Sequence, residues 1–201
     1  MTMPTTRERL LDVAELRFAR SSVAGVTTRE IVEAADQRNT SAVSYHFGSR
    51  EGLLLAILAR RGAPVDERRG EMRATLPEAA DTAALVSCLV VPYCAMLELP
   101  EGRSYVRIVA QLRGRFAAWR VESDTATTKH LSAILDEIEL RAPGSVAVRR
   151  ERIVALIMVM TATTAERARR IDELETPELD HEQFVGNLID MCAALVTPRA
   201  G

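Results

Sequence analysis

The chain has 201 residues and a mass of 22.1 kDa, enough for one domain or two small ones that each bury a core. Its 47% apolar and 27% charged residues exclude a disordered chain, and 10 Gly and 8 Pro are too few and too scattered for collagen-like or low-complexity sequence. The net charge is -2, but residues 1–61 carry 9 Arg against 7 Asp/Glu while residues 62–201 carry 17 Lys/Arg against 21 Asp/Glu; a mildly basic end on an acidic body suits a small nucleic-acid-binding head. In chain order, Leu11, Ala14 and Phe18 recur at i, i+3, i+7 on a first helix. Thr5 and Glu8 have the spacing of its capping box. Ser21 to Val26 breaks the pattern, with Gly25 available for a positive φ. A second capping box, Thr27 to Glu30, opens a short helix through about Ala35, with Ile31, Ala34 and Ala35 facing inward.

A polar turn, Asp36-Gln37-Arg38-Asn39, leads to another short helix from about Thr40 to His46, ended by Gly48-Ser49. Ser49 caps the next helix, which carries Leu53, Leu54, Ile57 and Leu58. Four short helices in some sixty residues, with a tight turn between the second and third, is a helix-turn-helix layout. Longer helices are expected near 78–98, 103–119, 124–141, 146–171 and 178–196, with breaks at Pro77, Pro100-Glu101-Gly102, the Asp124 region, Pro143-Gly144 and Thr176-Pro177. No stretch alternates with period two for long enough to demand a strand.

The residues offer little to an enzyme. His46, His130 and His181 are isolated, and metal-binding His/Cys spacings, phosphate loops and nucleophile motifs are absent. Cys88, Cys94 and Cys192 form no disulfide framework and read as buried thiols of a reducing cytoplasm. No signal peptide opens the chain, and the longest uncharged apolar run, Ile153 to Ala165, is 13 residues, too short to span a bilayer.

The segment Ala24-Gly25-Val26-Thr27-Thr28-Arg29-Glu30-Ile31, followed by Tyr45-His46-Phe47-Gly48-Ser49-Arg50-Glu51-Gly52-Leu53, resembles the TetR family of bacterial transcriptional regulators over roughly residues 7–58. It departs from the family at Ala35-Asp36, where Ala-Gly is usual. The resemblance implies an all-α protein: a three-helix, helix-turn-helix DNA-binding head over 1–49 and a larger helical ligand-binding and dimerisation body over 50–201. It implies a repressor that leaves a palindromic operator when a small molecule binds, with no resident cofactor. Thr28, Tyr45 and Arg50 would then touch phosphates, which fixes register without reading sequence.

Independently of the family, Val43 and Phe47 fall at i, i+4 and anchor the recognition helix. Arg38, Asn39, Thr40, Ser41 and Ser44 face the major groove, where Arg reads guanine and Asn reads adenine; His46 belongs to the same candidate set, though a packed ring is its plainer reading. Thr27 is a helix cap near phosphate.

In the body, Ile153 to Ala165 is apolar all round its helix, and the last helix offers Phe184, Leu188, Cys192 and Leu195 on one stripe. Together they look like the family's dimer interface, although a monomer core would use the same residues. The dimer is expected to read half-sites ~34–36 Å apart or a multiple of that. Family analogy puts the ligand among the middle helices, against Tyr93, Met96, Tyr105, Val109, Leu112, Phe116, Trp119, His130, Ile134 and Met158, with Met72, Cys88, Leu89 and Leu97 as further wall candidates. Arg113, Arg115 and Arg120 would meet an anionic ligand or form a solvated face. Two other readings stay open: a DNA-binding regulator without a ligand, and a helical carrier or enzyme with a helix-turn-helix-like start.

Overall fold

The computed structural model describes residues 4–39, 41–112 and 128–197. Among the described residues the chain is helical, with no strand. The head comprises α1 (Thr6–Arg20), α2 (Thr28–Ala34) and α3 (Ala42–Phe47), and α4 (Arg50–Thr75) runs out of it. The body adds α5 (Thr82–Cys94), a 3-10 turn (Ala95–Glu98), α6 (Pro100–Leu112), α7 (Lys129–Arg141), α8 (Val146–Asp172) and α9 (His181–Val196).

Local chemistry sets most of these boundaries. Both expected capping boxes form, on Thr5 with Glu8 and on Thr27 with Glu30. Ser49 accepts from the Gly52 N–H at 2.9 Å and starts α4. Pro100 begins α6 instead of breaking it, because the first helical residue needs no N–H. Pro64 and Pro92, by contrast, lie inside α4 and α5, so each removes one rung of its helix ladder. The recognition helix starts at Ala42, two residues later than expected.

The head core is built by Leu10, Leu11, Ala14 and Phe18 of α1, Ile31 and Val32 of α2, Val43 of α3, and Leu53, Ile57 and Leu58 of α4. Each such buried side chain contributes ~1.5–3 kcal/mol. On α2 the inward face is Ile31, Val32 and Ala35, while Ala34 is exposed: the helix turns its β-branched Val32 inward in place of the smaller alanine. Gly25 does not have a positive φ. Its N–H meets Ser22 Oγ at 2.7 Å, the same hydroxyl that a Cβ would strike, so this glycine supplies room.

In the body, α5 is the interior helix. It packs against α4, α7 and α9 and buries Leu85, Val86, Cys88, Leu89, Val90, Tyr93 and Cys94. α6 lies between α1 and α8. The Ile153–Ala165 stretch of α8 is buried on one side only: Ile153, Leu156, Ile157 and Met160 point inward, while Val154 and Met158 remain 48% and 39% exposed. On α9 the inward stripe is Phe184, Leu188, Cys192 and Val196, with Leu195 half-buried. The i, i+4 step simply continues one residue beyond Leu195. These residues pack within their own chain, against α5 and α8.

Two helices end in Schellman turns carried by non-glycine residues. After α8, Glu175 N–H donates to Arg170 O and Leu174 N–H to Ile171 O, with Leu174 at φ 58 and 91% exposed. Replacing Leu174 by Gly removes a left-handed strain of ~1–2 kcal/mol and adds a backbone entropy cost of ~0.5–1 kcal/mol. The expected result is a small net gain in stability by urea unfolding of the full chain; a loss would contradict the strain. Burial also raises the pKa of all three thiols, Cys94 to about 11 and Cys192 to about 12. At pH 8, iodoacetamide is expected to leave the three cysteines unlabelled until denaturant is added, whereas labelling of the native protein would show that the thiols are accessible.

Candidate functional site

The α2–turn–α3 unit is held by backbone bonds that leave one face free. At the end of α2, Gln37 N–H donates to Val32 O at 3.0 Å and Asp36 N–H to Glu33 O at 3.1 Å. Asp36 takes the left-handed position at φ 54, a place that Gly fills most readily and Asp tolerates. This explains how the chain turns without the usual glycine.

α3 begins with a local staple. Asn39 Oδ1 accepts from Ser41 N–H at 3.0 Å and from Ser41 Oγ at 2.7 Å, and Asn39 O accepts from Ala42 N–H at 3.0 Å. The side-chain oxygen that would accept from adenine is therefore occupied in holding the start of the helix. Val43 is buried beneath α3 and Phe47 is half-buried, with the Arg7 guanidinium 5.1 Å over its ring. Ser44 and Tyr45 point outward, Tyr45 at 84% exposure, and its ring meets His46 edge-on at 4.9 Å. His46 is half-buried and Arg38 is exposed beside the turn. Thr40 lies outside the described residues.

Thr27 is consumed by its cap: its Oγ1 accepts from Glu30 N–H at 3.2 Å and donates to the Glu30 carboxylate at 2.7 Å. The Thr27 backbone N–H, which donates to the Glu30 carboxylate at 2.7 Å, and then the Thr27 hydroxyl hold that carboxyl below its ordinary pKa. Thr28 sits half-buried on the first turn of α2. Arg50 turns inward. Its Nε donates to Val26 O at 3.0 Å, its Nη2 donates to Val23 O, and its guanidinium stacks 5.0 Å over Phe18. Its geometry is that of a bolt between α4 and the α1–α2 loop.

Two further links join head and body, and neither was foreseen. Glu15, on α1, is buried and takes hydrogen bonds from Arg60 and Arg61 of α4. Gln111, on α6, donates to Phe18 O at 2.9 Å and accepts from Val23 N–H at 2.6 Å.

The sequence-predicted ligand residues scatter. Tyr93, Tyr105 and Ile134 are interior, while Met96, Val109, Leu112 and His130 are half-buried. Of the wider set, Cys88, Leu89 and Leu97 are core and Met72 is half-buried. Met158 is on the outer face of α8 and lines no interior site. Phe116 and Trp119, with Arg113, Arg115 and Arg120, lie outside the described residues. A cleft of about 370 Å³ between α1, α4 and α6 is lined by Asp12, Glu15, Leu16, Arg61, Pro100, Glu101 and Ser104, none of them a predicted ligand residue.

Sequence reasoning also missed Asp66 and Arg69, buried on α4 among the middle helices. Both Asp66 oxygens accept N–H groups at the start of α7, from His130 at 2.9 Å and Leu131 at 2.8 Å. The signal was present: Leu58, Gly62, Val65 and Arg69 fall at i, i+4, i+7, i+11, which puts a charge on a buried stripe. Among the described residues no group of His, Cys, Asp and Glu can hold a metal, and no helix is long and apolar enough to cross a membrane.

The family model for bacterial regulatory proteins of the tetR family matches residues 10–57, the whole of the helix-turn-helix unit just described. Over these residues the chain is similar to the DNA-binding head of the TetR family. The likeness to solved structures extends over the body as well. A tetR-family protein from Shewanella sp. PV-4 is 12% identical, covers 98% of this chain and all of its own, and superposes with a TM-score of 0.63. A bacterial regulatory protein of the tetR family from Rhodococcus RHA1 is 18% identical over 98% of this chain and all of its own, TM-score 0.58. A TetR transcriptional regulator from Legionella pneumophila is 16% identical over 95% of this chain and 98% of its own, TM-score 0.55. At these identities they show a shared fold. Comparison with curated proteins gave no match.

The position of Arg50 separates two roles within this head. Arg50→Met is expected to lower stability by about 3 kcal/mol, the scale of losing hydrogen bonds to a charged group. It is expected to leave the salt dependence of non-specific DNA binding unchanged. A slope reduced by about one, as loss of a phosphate contact gives, would reassign Arg50 to the DNA backbone.

Proposed function

We propose that the chain is a homodimeric, sequence-specific DNA-binding transcriptional regulator of the cytoplasm, a repressor that a small molecule releases from a palindromic operator. The observation that carries this reading is the α2–turn–α3 unit: α3 is anchored by Val43 and turns Ser44 and Tyr45 to solvent, with Arg38 exposed beside it. A helix fixed beneath and polar outside is what the major groove admits.

Arg38 is the leading base reader, because its side chain is exposed and a guanidinium reads guanine bidentately. Tyr45 and Thr28 are proposed phosphate contacts. Asn39 and Ser41 contribute chiefly by holding the start of α3. Pairing through α8 and α9 is supported by the apolar side chains they leave exposed, Val154, Met158 and Met191. The stripe of Phe184, Leu188 and Cys192 fills the protomer's own core, so the pairing face is its complement.

In vitro selection from randomised and genomic DNA at about 0.15 M salt, an ionic strength at which phosphate attraction is screened to physiological levels, tests the reading. Enrichment of a palindrome is expected; no enrichment by folded, dimeric protein overturns it. On the selected site Arg38→Ala is expected to cost ~1–3 kcal/mol while binding to random DNA changes little. Equal losses on both would remove Arg38 from base reading.

A further inference from the structure

The interior of the body contains a guanidinium whose Nε has no acceptor among the described residues. Arg69 lies on α4 at 5% exposure. Among the described residues its buried Nε has no hydrogen-bond partner, and its one ion-pair approach is Nη1 to Asp66 Oδ1 at 3.8 Å, beyond hydrogen-bond distance. Each Asp66 oxygen already accepts one N–H at the start of α7. A buried donor without an acceptor is costly, and a charged one more so.

Four helices converge on this group. Tyr93 of α5 and Tyr105 of α6 are near enough to act on its charge. Tyr93 Oη reaches Val106 O at 3.4 Å, whereas Tyr105 Oη has no hydrogen-bond partner among the described residues. The close fit is made by glycines. A Cβ at Gly62 would come within 3.1 Å of Tyr105 Oη, and one at Gly70 within 2.6 Å of the His130 ring on α7.

We propose that Arg69 anchors the effector, and that the effector is a carboxylate on a small apolar body, with one carboxylate oxygen accepting from Arg69 Nε and Tyr105 Oη donating to the same group. The inference rests on the reading of the body as effector-binding. The charge count limits the ligand to a monoanion, because Asp66 already stands 3.8 Å from the Arg69 guanidinium, beside the positive end of α7. A dianion would bring a second negative charge beside Asp66 with nothing to meet it. The surroundings of the carboxylate, phenol rings and buried aliphatic side chains, suit an aryl or alkyl carboxylate.

The test is thermal unfolding of the full-length protein with hexanoate and benzoate, and with hexanamide and benzamide as uncharged counterparts. The acids are expected to raise Tm by several degrees at saturation, because they bind only the folded state, and the amides to have no effect. Arg69→Met is expected to lose the response to the acids. If Arg69→Met does not fold, Arg69→Lys, which keeps the charge without the planar fork, is expected to bind the acids at least tenfold more weakly than wild type. An unchanged acid response in the variant that folds, or no response to either acid in wild type, overturns the proposal. Equal shifts from acids and amides overturn the anionic class while leaving an effector-binding body in place. Failure of the DNA selection is a separate result, which overturns the regulator reading whatever the acids do.

Discussion

Glu15 is a carboxylate taken out of water in the seam between α1 and α4. A lone carboxylate there would be too costly to keep charged. It is held because Arg61 Nε and Nη2 reach its two oxygens at 2.9 and 3.0 Å, Arg60 joins from the same helix, and Arg60 also binds Asp12 at 2.8 Å. The geometry is bidentate and charge-assisted, which gives direction as well as energy. It fixes how α1 lies on α4. Because α3 packs on the start of α4, it also fixes how the recognition helix is presented. The Arg50 bolt secures the loop between α1 and α2 to the same helix.

α4 then carries a second buried acid into the body. Asp66 does for α7 what an N-cap residue does from within its own helix: it satisfies two N–H groups at the helix start. Below it, Arg73 and Glu137 pair at 2.8 and 2.9 Å and hold the far end of α4 to α7. Pro64 falls between the Arg60–Arg61 clamp and Asp66. One helix therefore belongs to both parts of the molecule, fastened by different charges on either side of a missing rung.

The head was legible in the sequence because its information is local. Capping boxes, the apolar steps of α1 and the Gly48-Ser49 stop are read within a few residues, and all appear in the structure. The roles of polar side chains were less legible, since they depend on which backbone groups lie within reach after folding. Arg50 and Asn39 look like DNA contacts in a linear pattern, yet one is turned onto carbonyls and the other onto Ser41. In the body, the apolar run of α8 predicted burial all round, but a helix on the outside of a folded chain buries one face, and its period alone cannot say what meets the other. Glu15, Gln111 and Asp66 act on residues 45 to 93 positions away, separations that no local pattern records.

α6 bears on how an effector would act at a distance. Tyr105 and Gln111 are six residues apart on it, about 9 Å of helix. Gln111 makes two hydrogen bonds to the end of α1 and the loop beyond it. At ~0.5–1.5 kcal/mol net for each bond, the pair is worth about 1–3 kcal/mol, the size of ordinary coupling free energies between sites. The Glu15 clamp is stronger, since parting a buried ion pair costs about 3–5 kcal/mol. A ligand that displaces Tyr105 would therefore undo the Gln111 latch before it undid the clamp, and the head, α1 included, would move together with α4 relative to α6. The ligand can shift the head only by the difference in its affinity for the latched and unlatched forms. With about 1–3 kcal/mol in the latch, a roughly 5- to 150-fold preference for the unlatched form is enough to open it.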